Sequence, residues 1–173
     1  IYIKLTLKKI FIGLQYFDSL LTLTCNGLGL DTLPPLPPLL TTLNCASNNL
    51  RFLSPLPIYL QTLYCADNDL EALPVLPSSL KSLLIYKNNL PQIPALPSGL
   101  TTLGCSNNQL TELPTLPSTL KILTCDYNMI SELPVLPDSL NLLRFSNNPI
   151  SILPELPRQL TILEFNNTLV SVI

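Results

Sequence analysis

Apolar side chains return along this chain with a period of 20 residues. In the stretch 33–50 they are Leu33, Leu36, Leu40, Leu43, Cys45 and Leu50. The same pattern begins again at Leu53, Leu73, Ile93, Leu113, Leu133 and Leu153. We therefore predict one domain with a degenerate first repeat or N-terminal edge at 1–20, regular repeats at 21–170 and a C-terminal edge at 171–173. A period of this length is typical of stacked repeats.

Each repeat divides into two segments with different backbone preferences. The segment 40–45 alternates around Leu43 and Cys45, which predicts a short strand. Copies of this strand in successive repeats should stack as parallel neighbours about 4.8 Å apart. The segment 33–37 is Leu-Pro-Pro-Leu-Pro, and because proline fixes φ and lacks an N–H, this half should run extended. The sequence predicts a right-handed solenoid, mostly β, with a concave parallel sheet, a polyproline-like convex side and no or few helices.

An asparagine follows most of the predicted strands at a fixed position. These residues are Asn48, Asn68, Asn88, Asn108, Asn128 and Asn148. The chain must turn inward here, which leaves backbone groups in the core, and an amide side chain offers both a donor and an acceptor to them. We interpret the asparagines as a structural ladder. Leu28 and Thr168 interrupt it, which indicates that the outermost repeats are modified.

Five cysteines share one position of the repeat, namely Cys25, Cys45, Cys65, Cys105 and Cys125. Ile85, Phe145 and Phe165 take this position in the other repeats, so we interpret it as an apolar core position. The chain has no C-x-x-C motif and no histidine, which argues against a zinc site. The Cα atoms of cysteines in neighbouring repeats should be close enough for a disulfide. Their side chains, however, are parallel and should point the same way rather than at each other.

Charge and residue content argue against several classes of function. The net charge is −2 and no run of lysine or arginine occurs, so we expect neither nucleic acid nor a membrane surface as a partner. No apolar run reaches the ~18 residues of a membrane span. Without histidine the usual general base is missing, and the five glycines form no phosphate-binding loop. We expect no enzymatic activity, no metal and no cofactor.

Functional information should lie at the outward positions of the strands. Positions 42, 44 and 46, with their copies one period apart, define a first, a second and a third lane on the concave face. Adjacent apolar residues on a sheet, and tyrosine in particular, often mark interfaces, although β-branched and aromatic residues also favour strands for structural reasons alone. The predicted partner-binding residues are Tyr64, Leu84, Tyr86, Ile122, Asp126, Leu142, Arg144, Ile162 and Glu164.

The repeat unit begins with Leu-Pro-x-Leu-Pro-x-x-Leu-x-x-Leu, and this part is clearest at 73–83, 113–123 and 133–143. The complete unit continues as x-Cys-x-x-Asn-x-Leu, for example at 44–50. It resembles the 20-residue class of bacterial leucine-rich repeats found in secreted effectors of the IpaH and YopM type. The resemblance covers nearly all of 21–170 and implies the binding of host proteins inside a host cell. The ligase domain of some of these effectors has no counterpart here, and their α-helical N-terminal cap is not evident.

Two functions follow as hypotheses. The first is a non-enzymatic, effector-like module that binds another protein on the concave face. The alternative is a structural protein whose uncapped apolar ends, at 1–5 and 169–173, stack into oligomers or filaments. The free cysteines fit a reducing cytosol, whether the cell's own or a host's, and a secreted form that protects its thiols by burial stays open.

Overall fold

The computed structural model describes residues 13–170, which form one parallel sheet of eight strands preceded by a 3₁₀ turn at Leu14–Tyr16. Each strand is three residues long, and the strands lie in the sheet in chain order. This confirms the predicted solenoid, because each repeat supplies one strand. The strands are β1 Thr22–Thr24, β2 Thr42–Asn44, β3 Thr62–Tyr64, β4 Ser82–Leu84, β5 Thr102–Gly104, β6 Ile122–Thr124, β7 Leu142–Arg144 and β8 Ile162–Glu164.

Neighbouring strands pair with an offset of one repeat. Leu43, for example, lies between Leu23 and Leu63 in the sheet, and the same register continues to β8. Backbone hydrogen bonds continue beyond the strand ends, as where the N–H of Cys45 donates to the carbonyl oxygen of Tyr64 at 2.8 Å. Side chains at one repeat position therefore stack in a continuous column.

The core is built from four such columns of fully buried side chains. In one repeat they are Leu40, Leu43, Cys45 and Leu50, and each is completely removed from solvent. Leu53 and Leu56, which belong to the repeating apolar pattern, are half-buried and pack against this core. Because the core is continuous, replacement of one of the fully buried leucines by alanine should cost about 2–5 kcal/mol.

The asparagine ladder joins each repeat to the one before it. The Nδ2 group of Asn68 donates to the carbonyl oxygens of Cys45 and Cys65, at 3.1 and 3.2 Å. Its Oδ1 accepts the N–H of Leu50 at 3.1 Å. The predicted structural role is confirmed, since equivalent bonds occur at Asn48, Asn88, Asn108, Asn128 and Asn148.

The residue before each ladder position has a left-handed backbone, which the sequence analysis did not predict. A left-handed conformation costs an ordinary L-residue roughly 1–2 kcal/mol, and asparagine and glycine adopt it most readily. This turn directs the chain from the sheet into the core. With φ between 54° and 57°, the residues are Ser47, Asp67, Lys87, Asn107, Tyr127, Asn147 and Asn167.

The proline-rich half of each repeat contains neither helix nor strand, in line with the prediction. Within 13–170, no helix is long and apolar enough to cross a membrane. Most of the predicted N-terminal edge, at 1–12, and the C-terminal edge at 171–173 lie outside the described residues. The same is true of the apolar end at 1–5 and most of the end at 169–173, on which the stacking hypothesis depends.

Candidate interaction surface on the concave sheet

The three lanes are columns on the outward face of the sheet. First-lane residues open each strand and second-lane residues close it, while third-lane residues follow two positions later. The nine predicted residues all lie on these columns, between β3 and the end of β8. Ile122 and Ile162 are the most exposed of them, at 37% and 44%, and the other seven are half-buried.

Tyr64 and Tyr86 form a pair across neighbouring repeats. Their ring centroids are 6.0 Å apart and the rings are nearly perpendicular, at 88°. Edge-to-face pairs of this kind contribute about 0.5–1.5 kcal/mol beyond area burial. The two hydroxyl groups are also hydrogen-bonded to each other. The hydrogen bond to Tyr64, together with desolvation, raises the pKa of Tyr86 to about 12.

Gly104 makes room for the side chain of Leu84. A Cβ atom added at Gly104 would lie 2.8 Å from the Cδ2 atom of Leu84 and 3.9 Å from the Cδ1 atom of Tyr86. The leucine therefore lies across the neighbouring repeat, where any larger residue at Gly104 would displace it. Tyr64, Leu84, Tyr86 and Gly104 form one contiguous surface, which we call the tyrosine cluster.

Ile122, Leu142 and Ile162 form an apolar strip in the first lane. The sheet register pairs Ile122 with Leu142, and Leu142 with Ile162. Their side chains therefore lie side by side on three consecutive strands. The strip and the tyrosine cluster are separate, because they occupy different lanes and different repeats.

Asp126 belongs to a row of polar third-lane residues. Its Oδ1 atom accepts the N–H of Ser146 at 2.7 Å, and its Oδ2 atom accepts the hydroxyl of Ser106 at 3.3 Å. The row continues where the Oγ atom of Ser146 accepts the N–H of Asn166 at 3.0 Å. The carboxylate of Asp126 is thus fixed by donors within the chain and stiffens this edge of the sheet.

Arg144 and Glu164 form an ion pair in the second lane. The Nε atom of Arg144 donates to Oε2 of Glu164 at 2.7 Å, and a terminal guanidinium nitrogen lies 2.6 Å from the same oxygen. The bond to Glu164 raises the pKa of Arg144 further above its ordinary value. Both side chains remain more than two-fifths exposed, so the pair contributes little to stability and keeps its polar atoms available at the surface.

Two features of this face were not predicted. Ala46 and Ala66 were placed on the concave surface, but they are only 6% and 1% exposed. Gly104 was not recognised as the residue that seats Leu84, although it is the one glycine in the second lane. A glycine next to a long side chain in the same column is the signal that could have revealed it.

The cysteine column is free of disulfides and closed to solvent. All five thiols are free and buried. Burial raises the pKa of Cys25 to about 11 and that of Cys65 to about 12, and it shifts the other three in the same direction. A raised pKa keeps a thiol protonated, which is the opposite of nucleophile activation. Within 13–170, no group of three or more potential ligands could hold a metal ion.

No protein-family model and no curated protein matches the chain. Solved structures match it with high confidence. YopM from Yersinia enterocolitica WA-314 superposes with a TM-score of 0.85 and 35% identity, over 88% of this chain and 39% of that chain. A Shigella effector LRR domain superposes with a TM-score of 0.85 and 34% identity, over 93% of this chain and 76% of that chain. The functional domain of InlJ from Listeria monocytogenes, which includes a cysteine ladder, superposes with a TM-score of 0.85 and 31% identity, over 93% of this chain and 38% of that chain.

The repeat pattern, the parallel solenoid and these similarities show that the chain belongs to the leucine-rich-repeat family. Its repeats are similar to those of the bacterial proteins YopM, the Shigella effector domain and InlJ. The chain spans about two-fifths of the YopM and InlJ structures and about three-quarters of the Shigella domain. The predicted family is therefore confirmed.

Proposed function

We propose that this chain is a protein-interaction module of effector type that binds a partner protein on its concave sheet and catalyses no reaction itself. Two of the similar structures support the effector part of the proposal: YopM, described as a leucine-rich effector protein, and the Shigella effector domain. The single observation that carries the concave site is the apolar strip of Ile122, Leu142 and Ile162, in which the two isoleucines are exposed and the leucine between them is half-buried.

The strip offers binding energy that the isolated chain does not use. Each of these side chains contributes about 1.5–3 kcal/mol when it is moved from full exposure to full burial. Because they are already partly covered by the neighbouring strands, a partner gains only a fraction of this for each residue. Three residues in register nevertheless form a continuous apolar contact, which is the usual centre of a protein interface.

Polar groups around the strip would orient the partner. Arg144 and Glu164 lie beside it in the second lane, and Asp126 lies beyond them in the third lane. Internal hydrogen bonds hold these side chains in place, so a partner meets fixed groups and little side-chain entropy is lost on binding. The tyrosine cluster provides a second, separate contact.

The non-enzymatic part of the proposal is supported by the chemistry of the described side chains. The thiols of the cysteine column have raised pKa values, and the carboxylate of Asp126 is already engaged by Ser106 and Ser146. The hydroxyl groups of Tyr64 and Tyr86 are hydrogen-bonded to each other. These groups are arranged for recognition rather than for proton transfer or nucleophilic attack.

We propose that the protein is secreted in the manner of an effector and acts in a reducing cytosol. Buried thiols with raised pKa values resist oxidation before they arrive there, because the thiolate is the reactive form. The cysteine column is therefore compatible with both the secreted and the cytosolic stage.

Affinity capture with mass spectrometry tests this proposal, with the wild type and Leu142→Arg as baits. Leu142→Arg should fold normally and lose the partner that the wild type retains, since it places a charge in the middle of the strip. Equal recovery of that partner by both baits would sink the concave-strip assignment. Sedimentation velocity on the same samples would show self-association as a concentration-dependent increase in mass, which is the outcome expected of the stacking alternative.

A further inference from the structure

The proline-rich half of each repeat has two exposed positions that the concave-face proposal does not use. In the repeat 31–50 they are positions 35 and 38, and both positions are exposed in every repeat from 31–50 to 151–170. The prolines of the Leu-Pro-x-Leu-Pro motif itself, such as Pro34 and Pro37, are half-buried or buried. The motif prolines therefore belong to the scaffold, whereas positions 35 and 38 are open to a partner.

The repeat 31–50 has proline at both exposed positions, Pro35 and Pro38. The six later repeats build the same scaffold without this pair, so the fold does not require it. Their residues at the two positions are Pro55 and Ile58, Val75 and Ser78, Ala95 and Ser98, Thr115 and Ser118, Val135 and Asp138, and Glu155 and Arg158.

The covalent structure of the segment 33–38 favours a polyproline II conformation. Four of its six residues are prolines, which have a fixed φ, and four directly precede a proline, which restricts them to extended conformations. Residues 32–37 contain no helix, strand or turn. In polyproline II three residues complete one turn with a rise of about 3.1 Å each, so Pro35 and Pro38 project from the same side, about 9 Å apart.

Contacts at both ends hold this segment in place. The side chain of Leu33 is buried in the core, and its carbonyl oxygen accepts the hydroxyl of Ser54 at 3.1 Å. At the other end, the N–H of Leu40 donates to the carbonyl oxygen of Pro37 at 3.3 Å and closes a turn. The segment is thus ordered before any partner arrives, and little conformational entropy is lost on binding.

The surface next to the proline pair is apolar and carries no basic charge. Leu39, which follows Pro38, is 44% exposed. Ile58 and Tyr59, at the same positions of the next repeat, are 70% and 52% exposed. The chain has no lysine or arginine within 13–50. A partner would therefore gain binding energy here from apolar contact rather than from attraction to positive charge.

We propose that Pro35 and Pro38 form a docking site for a proline-recognition domain of the SH3 or WW type, which binds polyproline II segments in a groove lined by aromatic side chains. Such domains recognise two prolines three residues apart and exploit the preformed, low-entropy polyproline II conformation. Leu39 extends the apolar contact. The site lies outside the three lanes of the sheet, so the inference goes beyond the concave-face proposal and does not depend on it.

An array of purified SH3 and WW domains, probed with the fluorescently labelled whole chain, tests the inference. The domain that binds best is then titrated against the wild type, Pro35→Val, Pro38→Ser and the double variant. These substitutions introduce the residues that Val75 and Ser78 supply at the same positions, so the fold should be retained, which circular dichroism verifies. Pro91→Val removes an exposed proline from a repeat without the pair and is the matched control.

At least one domain should bind the wild type. Each single variant should bind it about 2- to 5-fold more weakly and the double variant at least about 10-fold more weakly, while Pro91→Val binds like the wild type. Added salt should change the affinity by less than about 2-fold, because no basic charge takes part. Absence of binding by every domain, or wild-type affinity of the double variant, overturns the inference.

A graft of the pair into another repeat provides the converse test. Val75→Pro and Ser78→Pro, introduced into the double variant, move the pair to the repeat 71–90. No hydrogen bond among the described residues uses the N–H of Val75 or Ser78, so prolines fit there. The graft should restore binding to within about 3-fold of the wild type. A folded graft that does not bind would show that the proline pair does not define the site.

Discussion

The side-chain amide of Asn88 donates to the carbonyl oxygen of Cys65, 23 residues earlier, at 3.1 Å. The same amide nitrogen also donates to the carbonyl oxygen of Ile85, and the Oδ1 atom of Asn88 accepts the N–H of Leu70 at 3.0 Å. One buried side chain thus satisfies three backbone groups from two repeats. The ladder is the device that allows strands of three residues to form a cooperative solenoid, because it links each turn to the next within the core.

Asn88→Ala should therefore destabilise the fold by about 2–4 kcal/mol, since it leaves buried backbone donors and acceptors unsatisfied. Urea denaturation followed by circular dichroism measures this change. Asn89→Ala is the matched control, because Asn89 is exposed and should change stability by no more than about 0.5 kcal/mol. Similar losses for the two variants would show that the ladder is not the special element described above.

Ala46→Ser should stabilise the chain by about 0.5–1 kcal/mol. A serine at this position would supply an acceptor for the N–H of Ala66, as Ser146 does for Asn166. Ala72→Ser, at an exposed position away from the sheet, serves as the control and should be nearly neutral. If Ala46→Ser lowers the thermal midpoint, the small third-lane residues are required by packing and not simply missing an acceptor.

Tyr127→Asn should stabilise the chain by about 0.5–1 kcal/mol, because Tyr127 has a φ of 55° and asparagine tolerates that conformation better. Asparagine already occupies the equivalent position at 107, 147 and 167. Met129→Asn is a matched control, since Met129 is similarly exposed, at 52% against 57%, but does not share the positive φ. The expected difference between the two variants disappears if backbone strain at Tyr127 is negligible.

Stability should fall as the pH rises above 9. Burial raises the pKa of Cys25 from the ordinary 9.0 to about 11 and that of Cys65 to about 12. A raised folded-state pKa means that the unfolded thiol ionises first, so the stabilisation is complete below pH 9 and is lost between pH 9 and the folded-state pKa. Each thiol can contribute a slope of up to about 1.4 kcal/mol per pH unit.

The double variant Cys65→Val, Cys105→Val isolates the contribution of the thiols. Urea midpoints between about pH 8 and 10.5 should decrease less steeply for this variant than for the wild type, whatever its stability at neutral pH. All other side chains are common to both proteins, so their contributions cancel in the comparison. Equal slopes would mean that the thiols are ionised to the same extent in the folded and unfolded states.

The repetition of the sequence explains why most of the fold was predictable. A leucine at position 43 and an asparagine at position 48 recur in so many repeats that each chemical role is tested several times within one chain. The strands, the core columns and the ladder followed from that comparison. The proline motif likewise argued against helices, because proline restricts every repeat in the same way.

The surface was less predictable because it depends on differences between repeats. The seating of Leu84 over Gly104 and the burial of Ala66 arise from side chains of neighbouring repeats, whose directions a periodic pattern does not encode. The left-handed turn was missed for a different reason: Lys87 and Tyr127 occupy it in place of asparagine or glycine, which conceals the usual signal. The sequence thus predicted the lanes on which the candidate site lies, but not the contacts between its side chains.

The affinity of the captured partner for two arginine variants tests the concave-face proposal most directly. Leu142→Arg places a charge in the apolar strip, whereas Val135→Arg places the same charge outside the lanes, where the valine is 87% exposed. In isothermal titration calorimetry, Leu142→Arg should weaken binding at least about 10-fold, which corresponds to about 1.4 kcal/mol, while Val135→Arg binds like the wild type. The proposal would be contradicted if Leu142→Arg bound the partner with wild-type affinity, or if both folded variants lost affinity equally.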